Sequence, residues 1–232
     1  KFNEYGGFKA ARWLAGETEK DVYAKAGLPY IAPELRENQG ELEAAHNDTL
    51  PRLVTVADIK GDLHAHTDAS DGDASLEQMA EAARARGYRY LAITDHSKHV
   101  GIVHGLDASR LARQMTAIDR LNAKYRDFRL LKSAEVDILA DGTLGIDAGI
   151  LGELDFAVAA IHTNFALDAR AQTERLIKAM DNRSVNIIAH PTGRLLGKRE
   201  PYELGMQRLM KAAAERGCFL EVNAQPSRLD LS

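Results

Sequence analysis

The chain has 232 residues, 45% of them hydrophobic, and 30 Lys and Arg against 34 Asp and Glu give a formal net charge of −4. That length suffices for one large core or a core plus an appendage, and the near-balanced charge argues against a surface that binds nucleic acid through bulk electrostatics alone. No apolar stretch approaches bilayer length and the first residues do not read as a signal peptide; with the lone Cys218 suiting a reducing compartment, a soluble cytoplasmic protein with no membrane partner is expected.

Residues 1 to about 50 differ in texture from the remainder of the chain. A helix is expected over 18–26, opened by Thr18 with Asp21 three residues on and closed by Gly27. A turn-prone run with Pro29 and Pro33 comes next, and then a linker near 37–48. This part is too short for a core of its own and reads as the tail of a preceding domain. An apolar run over 53–63, expected to be a strand, then leads into Gly61-Asp62-Leu63-His64-Ala65-His66-Thr67-Asp68-Ala69-Ser70-Asp71-Gly72. Alternate side chains of an extended strand share a face, so His64 and His66 project together and can grip one cation. Asp71 adds a carboxylate five positions on.

Strand-like and helix-like stretches alternate from there. Ser75 and Gln78 form a capping-box pattern, with Leu76, Met79, Ala80 and Ala83 at helical spacing and Gly87 as the stop. A buried strand over 88–94 ends in Asp95-His96, a helix is expected over 107–125, and a strand over 128–134 delivers Glu135 and Asp137. A strand over 154–161 ends in His162, a helix over 169–180 leads to a strand over 185–189 ending in His190-Pro191, and a helix over 203–216 precedes a sixth strand over 218–222 that delivers Glu221 and Asn223. Such alternation implies parallel pairing through right-handed crossovers in an α/β fold. Candidate ligands at the end of nearly every strand favour a closed or nearly closed barrel, whose functional groups gather at the carboxyl ends of the strands. One rim would then collect His64, His66, Asp71, His96, Glu135, His162 and His190. Imidazole and carboxylate ligands together suit zinc, manganese or iron, and the lack of cysteine ligands argues against a closed structural zinc site. A shared carboxylate such as Glu135 can bridge two ions, and bound cations supply positive charge that keeps an anionic phosphate substrate in play.

His64-x-His66 with Asp71-Gly72, Thr94-Asp95-His96-Ser97, Glu135-Val136-Asp137, Ile161-His162 and His190-Pro191-Thr192-Gly193-Arg194 together resemble the polymerase and histidinol phosphatase (PHP) domain. The segments from His190 to Gly197 and from Asn223 to Asp230 are similar to the version found in bacterial family X DNA polymerases, and the motifs at 2–6 and 28–36 resemble the end of the polymerase thumb. The resemblance implies a division into a thumb tail at 1–43, a linker at 44–57 and a PHP domain at 58–232. It implies a distorted TIM-like (β/α)7 barrel with up to three ions, Mn2+ and/or Zn2+. His64, His66 and Glu135 would hold the first, Glu135, His162 and His190 the second, and Asp71 with His96 the third, with catalysis resting on Glu135, His64 and His66.

The implied activity is a manganese-dependent 3′-to-5′ exonuclease and 3′-end processing in base excision repair, acting on DNA 3′ ends at gaps or nicks beside the polymerase core of the same chain. A nucleoid-associated location would accompany it. Arg194, Lys198 and Arg199 are the expected contacts to the DNA backbone, Asp62, Asp95 and Asp137 are candidates for orienting imidazoles, and Lys98, His99 and His104 line the loop after His96. The family closes its site with an Asp-x-His on a last strand, and no such motif follows Glu221 up to Ser232, so a barrel without its last strand, fewer bound ions and poor activity are expected of residues 1–232. The competing readings are a small-molecule phosphomonoesterase of the histidinol-phosphate type and a silent barrel that supports a polymerase.

Overall fold

A computed structural model describes residues 15–98 and 104–231, which leaves the motif at 2–6 and His99 outside the described residues. The chain divides into two compact units, one ending at Val56 and one beginning at Ala57. In the first, α1 (Glu19–Lys25) starts at a capping box in which Thr18 and Asp21 satisfy each other's backbone N–H groups. A 3₁₀ turn at Pro33–Leu35 and a helix α2 (Glu41–His46) come after it, so part of the expected linker is helical. Arg36 organises this small unit, donating to the Ile31 carbonyl and to Glu19 while its guanidinium packs over the rings of Tyr23 and Tyr30.

The second unit has seven parallel strands rather than six: β1 (Gly61–Ala65), β2 (Tyr90–Ile93), β3 (Arg129–Lys132), β4 (Glu135–Asp137), β5 (Ala157–Ala160), β6 (Val185–Ile188) and β7 (Phe219–Leu220). They form one sheet of order β1-β2-β3 and another of order β4-β5-β6-β7. The run expected as one strand over 128–134 divides because its partners change. Arg129–Lys132 pairs with β2, and three residues later Glu135 pairs with Val158 of β5. The stretch after β2 joins the two sheets, since the Glu135 N–H donates to the Thr94 carbonyl and the Ser97 N–H donates to the Glu135 carbonyl. β1 and β7 stand at the two ends of this series, and no ladder joins them among the described residues.

Only the end of the apolar run at 53–63 is a strand. Val54 and Val56 are exposed and Val56–Asp58 is a 3₁₀ turn, so apolarity there does not reflect a ladder. Capping fixes the helices: Ser75 and Gln78 open α3 (Leu76–Ala85), Asp107 opens α4 (Ala108–Asn122), and Asp168 opens α6 (Ala169–Met180). The short α5 (Ala148–Glu153), capped by Asp147, has no counterpart among the elements expected from periodicity, which six residues are too few to display. α7 (Met206–Arg216) starts later than expected, with the Gly205 N–H before it donating to the Thr173 hydroxyl, and Gly217 ends it in the left-handed conformation. Leu91, Ile93 and Leu130 pack with Ile118 of α4, and Ile188 packs with Leu176 of α6 and Leu209 of α7, each side chain contributing about 1.5–3 kcal/mol through burial. No helix is long and apolar enough to cross a membrane among the described residues.

Candidate metal centre

The strands converge on Glu135. It begins β4, is 1% exposed, and its carboxylate is ringed by five imidazoles. Oε1 lies 2.9 Å from His190 Nε2 and 3.2 Å from His162 Nε2. Oε2 lies 3.4 Å from His64 Nε2, 3.3 Å from His66 Nε2 and 3.1 Å from His96 Nδ1. The two oxygens of one carboxylate thus serve different sets of histidines, as a bridging ligand must.

Each histidine reaches the centre from the end of a strand or just beyond it. His64 lies on β1 and His66 directly after it, His96 follows β2, His162 follows β5 and His190 follows β6. Asp71 joins them because the chain after β1 turns back on itself. The Ser70 and Gly72 N–H groups both donate to the Thr67 carbonyl, and a Cβ on Gly72 would stand 2.6 Å from the His66 carbonyl oxygen. The turn puts Asp71 Oδ1 2.6 Å from His66 Nδ1 and Oδ2 3.4 Å from His96 Nε2.

The outer ring nitrogens are oriented by further carboxylates. His64 Nδ1 is 2.6 Å from Glu221 Oε1, and His162 Nδ1 is 2.6 Å from Asp137 Oδ1. The remaining pair, His96 and His190, each hold a buried Nδ1 without a hydrogen-bond partner; for His96 the nearby Glu135 oxygen is close but not aligned. Buried polar atoms seldom go unpartnered, and the His96 nitrogen, on the side of its ring that faces Glu135, points to a ligand of another kind.

Electrostatics agree with a cation site. Burial opposes ionisation of Glu135, yet the hydrogen bonds of His162, His190, His64 and His66 hold its carboxyl well below the usual range. Burial also opposes charge on His64, but Glu135 and Glu221 override it and raise the imidazole to about 10; His162 is raised to about 9 against its own burial by Asp137 and Glu135. Burial prevails at His96 and His190, which are lowered. Among protein groups alone the cluster must therefore retain protons between its carboxylates, where cations would serve as well. Three groups have ligand atoms mutually within 4.8 Å: His64, His66 and Glu135; His66, Asp71 and His96; and His96, Glu135 and His162. Imidazole nitrogens and carboxylate oxygens without thiolates fit zinc or manganese.

The seven side chains singled out in the sequence line one cavity of about 380 Å³, together with Asn223, Gln225 and Arg228. Arg194, Lys198 and Arg199 do not line it. Arg194 Nε donates to the Arg228 carbonyl, Arg199 Nε donates to the Gly193 carbonyl with its guanidinium over the Phe165 ring, and Lys198 is exposed. Lys98 borders a different cavity and His104 sits in an exposed turn. Asp137 orients an imidazole, whereas Asp95 holds Thr67, Ser70 and Gln114, and Asp62 accepts the His64 N–H. Glu221 is the contact that sequence reasoning missed. Its place at the end of the last strand is visible in the sequence, but nothing local to it shows that His64, 157 positions earlier, is its partner.

The PHP domain profile matches residues 62–225, and the DNA polymerase beta thumb profile matches residues 1–37. The chain is 46% identical over 214 residues to the DNA polymerase/3'-5' exonuclease PolX of Bacillus subtilis (strain 168), covering 92% of this chain and 37% of that protein. It is 30% identical over 169 residues to a protein of Thermoanaerobacter sp. (strain X514) named a probable phosphatase, covering 70% of this chain and 63% of the relative. The chain thus spans between about a third and two thirds of the length of these curated relatives. A solved structure from Listeria monocytogenes, described as a candidate histidinol phosphatase, superposes with a TM-score of 0.54 at 15% identity, covering 74% of this chain and 85% of that one, and shares its fold.

Proposed function

The chain belongs to the PHP domain family, and from that premise we propose that it binds two to three divalent cations, Mn2+ and/or Zn2+, and hydrolyses phosphodiester bonds at DNA 3′ ends. The observation that carries this reading is the division of labour on Glu135, one oxygen toward His162 and His190 and the other toward His64, His66 and His96. His64, His66 and Glu135 would hold the first ion, Glu135, His162 and His190, whose Nε2 atoms both approach Glu135 Oε1, the second, and Asp71 and His96, with His66 in reach, the third. Divalent ions bound there supply Lewis acidity toward a phosphate diester and lower the pKa of water.

The protein's own part is orientation. Glu221 is held down to about 2, where burial alone would raise it, so it stays ionised and accepts the proton of His64 Nδ1. That fixes the tautomer and leaves the Nε2 lone pair facing the centre. Asp137 does the same for His162. The thumb match and the name of the Bacillus subtilis relative support DNA as the substrate, a polymerase core as the companion of this domain and a 3′-to-5′ exonuclease activity; the role we assign to that activity is repair of gaps and nicks in the cytoplasm, at the nucleoid. The relatives named as phosphatases support a second reading, a small-molecule phosphomonoesterase.

The test loads the 232-residue chain with Mn2+ and compares shortening of a 3′-labelled oligonucleotide with phosphate release from histidinol phosphate. Stepwise shortening that Glu135→Gln abolishes is the expected result. Release from the monoester alone would establish the second reading, and failure to bind stoichiometric cation would overturn both.

A further inference from the structure

Arg228 stands out because it is the sole Lys or Arg lining the metal-centre cavity among the described residues. A guanidinium beside a site built for cations is repelled by its intended occupants, and that cost is offset only if an anion sits between them. Its own protein partners do not account for it. Among the described residues the single hydrogen bond of its guanidinium is a long one, Nη1 to the Arg194 carbonyl at 3.4 Å, and no carboxylate pairs with it. The fork is half-buried and has donors to spare.

The loop that carries Arg228 is held firmly. Asn223 and Asp230 exchange backbone hydrogen bonds of 2.9 and 3.0 Å across its base. The Asp230 carboxylate is fully buried and accepts the Thr192 N–H and hydroxyl, which ties the loop to the turn after His190. The Leu196 N–H and Arg194 Nε donate to the carbonyls of Ser227 and Arg228. Asn223 is itself anchored, giving its side-chain N–H to Glu221 and accepting the Gln225 N–H. A long side chain on a loop fixed in this way is presented to the cavity with less ordering left to do when a ligand arrives.

We propose that Arg228 receives the phosphate of the substrate, and that the loop from Asn223 to Asp230 is the part of this site that selects a phosphate ester for attack. The proposal deepens the phosphodiesterase reading above and rests on it for the identity of the substrate, while the anion site itself can be examined without turnover. A planar guanidinium can grip two phosphate oxygens at once, which a lysine ammonium cannot.

The experiment uses the 232-residue chain loaded with Mn2+, with Arg228→Ala and Arg228→Lys, and reads three quantities: bound Mn2+, the Kd of inorganic phosphate by calorimetry, and KM and kcat on a 3′-labelled oligonucleotide. Arg228→Ala is expected to retain its Mn2+, weaken phosphate at least tenfold and raise KM by a similar factor, and Arg228→Lys to recover part of both. Unchanged phosphate affinity with Mn2+ retained would overturn the proposal. Loss of Mn2+ in Arg228→Ala would overturn it too, because the arginine would then be a support for the metal ligands. If the unsubstituted chain cleaves no oligonucleotide, the phosphodiesterase reading fails by itself, and the phosphate titration still decides the role of Arg228.

Discussion

Glu221 and His64 meet across the two ends of the strand series, carboxylate Oε1 lying 2.6 Å from imidazole Nδ1. The other oxygen of Glu221 accepts the N–H of His190 at 2.6 Å. His190 needs that support, because it sits at φ 28° and precedes a proline, a backbone state that an L residue adopts only when its surroundings impose it. One carboxylate therefore sets a ring on β1 and the main chain after β6, where no ladder does so among the described residues. Glu221→Gln keeps the shape and removes the charge. It should weaken Mn2+ or Zn2+ binding by about 10- to 100-fold, as loss of partners that orient metal ligands commonly does. Titration of the two chains with either ion checks this, and equal affinities would remove Glu221 from the site.

Asp95 acts on the same site through a loop. Its carboxylate is fully buried and accepts the Thr67 N–H at 2.8 Å, the Thr67 hydroxyl at 2.7 Å, the Ser70 hydroxyl at 2.5 Å and the Gln114 amide at 2.5 Å. Asp95→Ala strands three buried donors and the half-buried Gln114 amide, so a loss of about 3 kcal/mol in unfolding free energy is expected. Urea denaturation measures it. A change below about 0.5 kcal/mol, the range of ordinary surface substitutions, would show that the network carries no stability.

The local devices of this fold are open to reading because each is complete within a few residues. The spacing of His64 and His66 on a strand, the Ser75 and Gln78 capping box, and the Gly217 stop need no knowledge of the rest of the chain. What depends on partners distant in sequence is not legible. The break between β3 and β4 follows from a change of neighbouring strand, and the exposure of Val54 and Val56 from the lack of any strand to cover them among the described residues. Arg194, the last residue of the His190 motif, draws in the sequence the attention that the cavity directs to Arg228. Both belong to one hydrogen-bonded pair of loops, and only the fold shows which guanidinium faces inward.

Cys218 is buried, and burial raises its thiol to about 11 from an ordinary value of 9.0, with the Phe219 backbone opposing weakly. Two pH units reduce the thiolate fraction by about a hundredfold at pH 8, before any steric protection is counted. Iodoacetamide should therefore alkylate the folded chain at least a hundred times more slowly than the chain in guanidinium. The effect on stability has a definite sign, since the protonated form is favoured in the folded state. The contribution of Cys218 is complete below pH 9 and is lost as the pH rises toward 11. Cys218→Ser tests this, because it should flatten that part of the pH profile, and an identical slope in both chains would assign the loss to other groups.

Gly72 allows the turn that brings Asp71 to His66 and His96. A methyl group there would stand 2.6 Å from the His66 carbonyl oxygen and 2.9 Å from the Thr67 carbonyl carbon. Both are backbone atoms, so the chain has to shift and no side chain can give way. The shift would fall on the 2.6 Å contact between Asp71 and His66 and the 3.4 Å approach of Asp71 to His96. It would leave the separate approaches of His162 and His190 to Glu135 intact. Gly72→Ala should therefore lower the number of bound Mn2+ ions by one without abolishing binding, and Asp71→Asn should produce the same stoichiometry by removing the carboxylate directly. Counting bound Mn2+ by equilibrium dialysis or electron paramagnetic resonance distinguishes the outcomes. Loss of all ions in Gly72→Ala would mean that the three groups of ligands form one indivisible unit, and full retention would mean that the turn is not what positions Asp71.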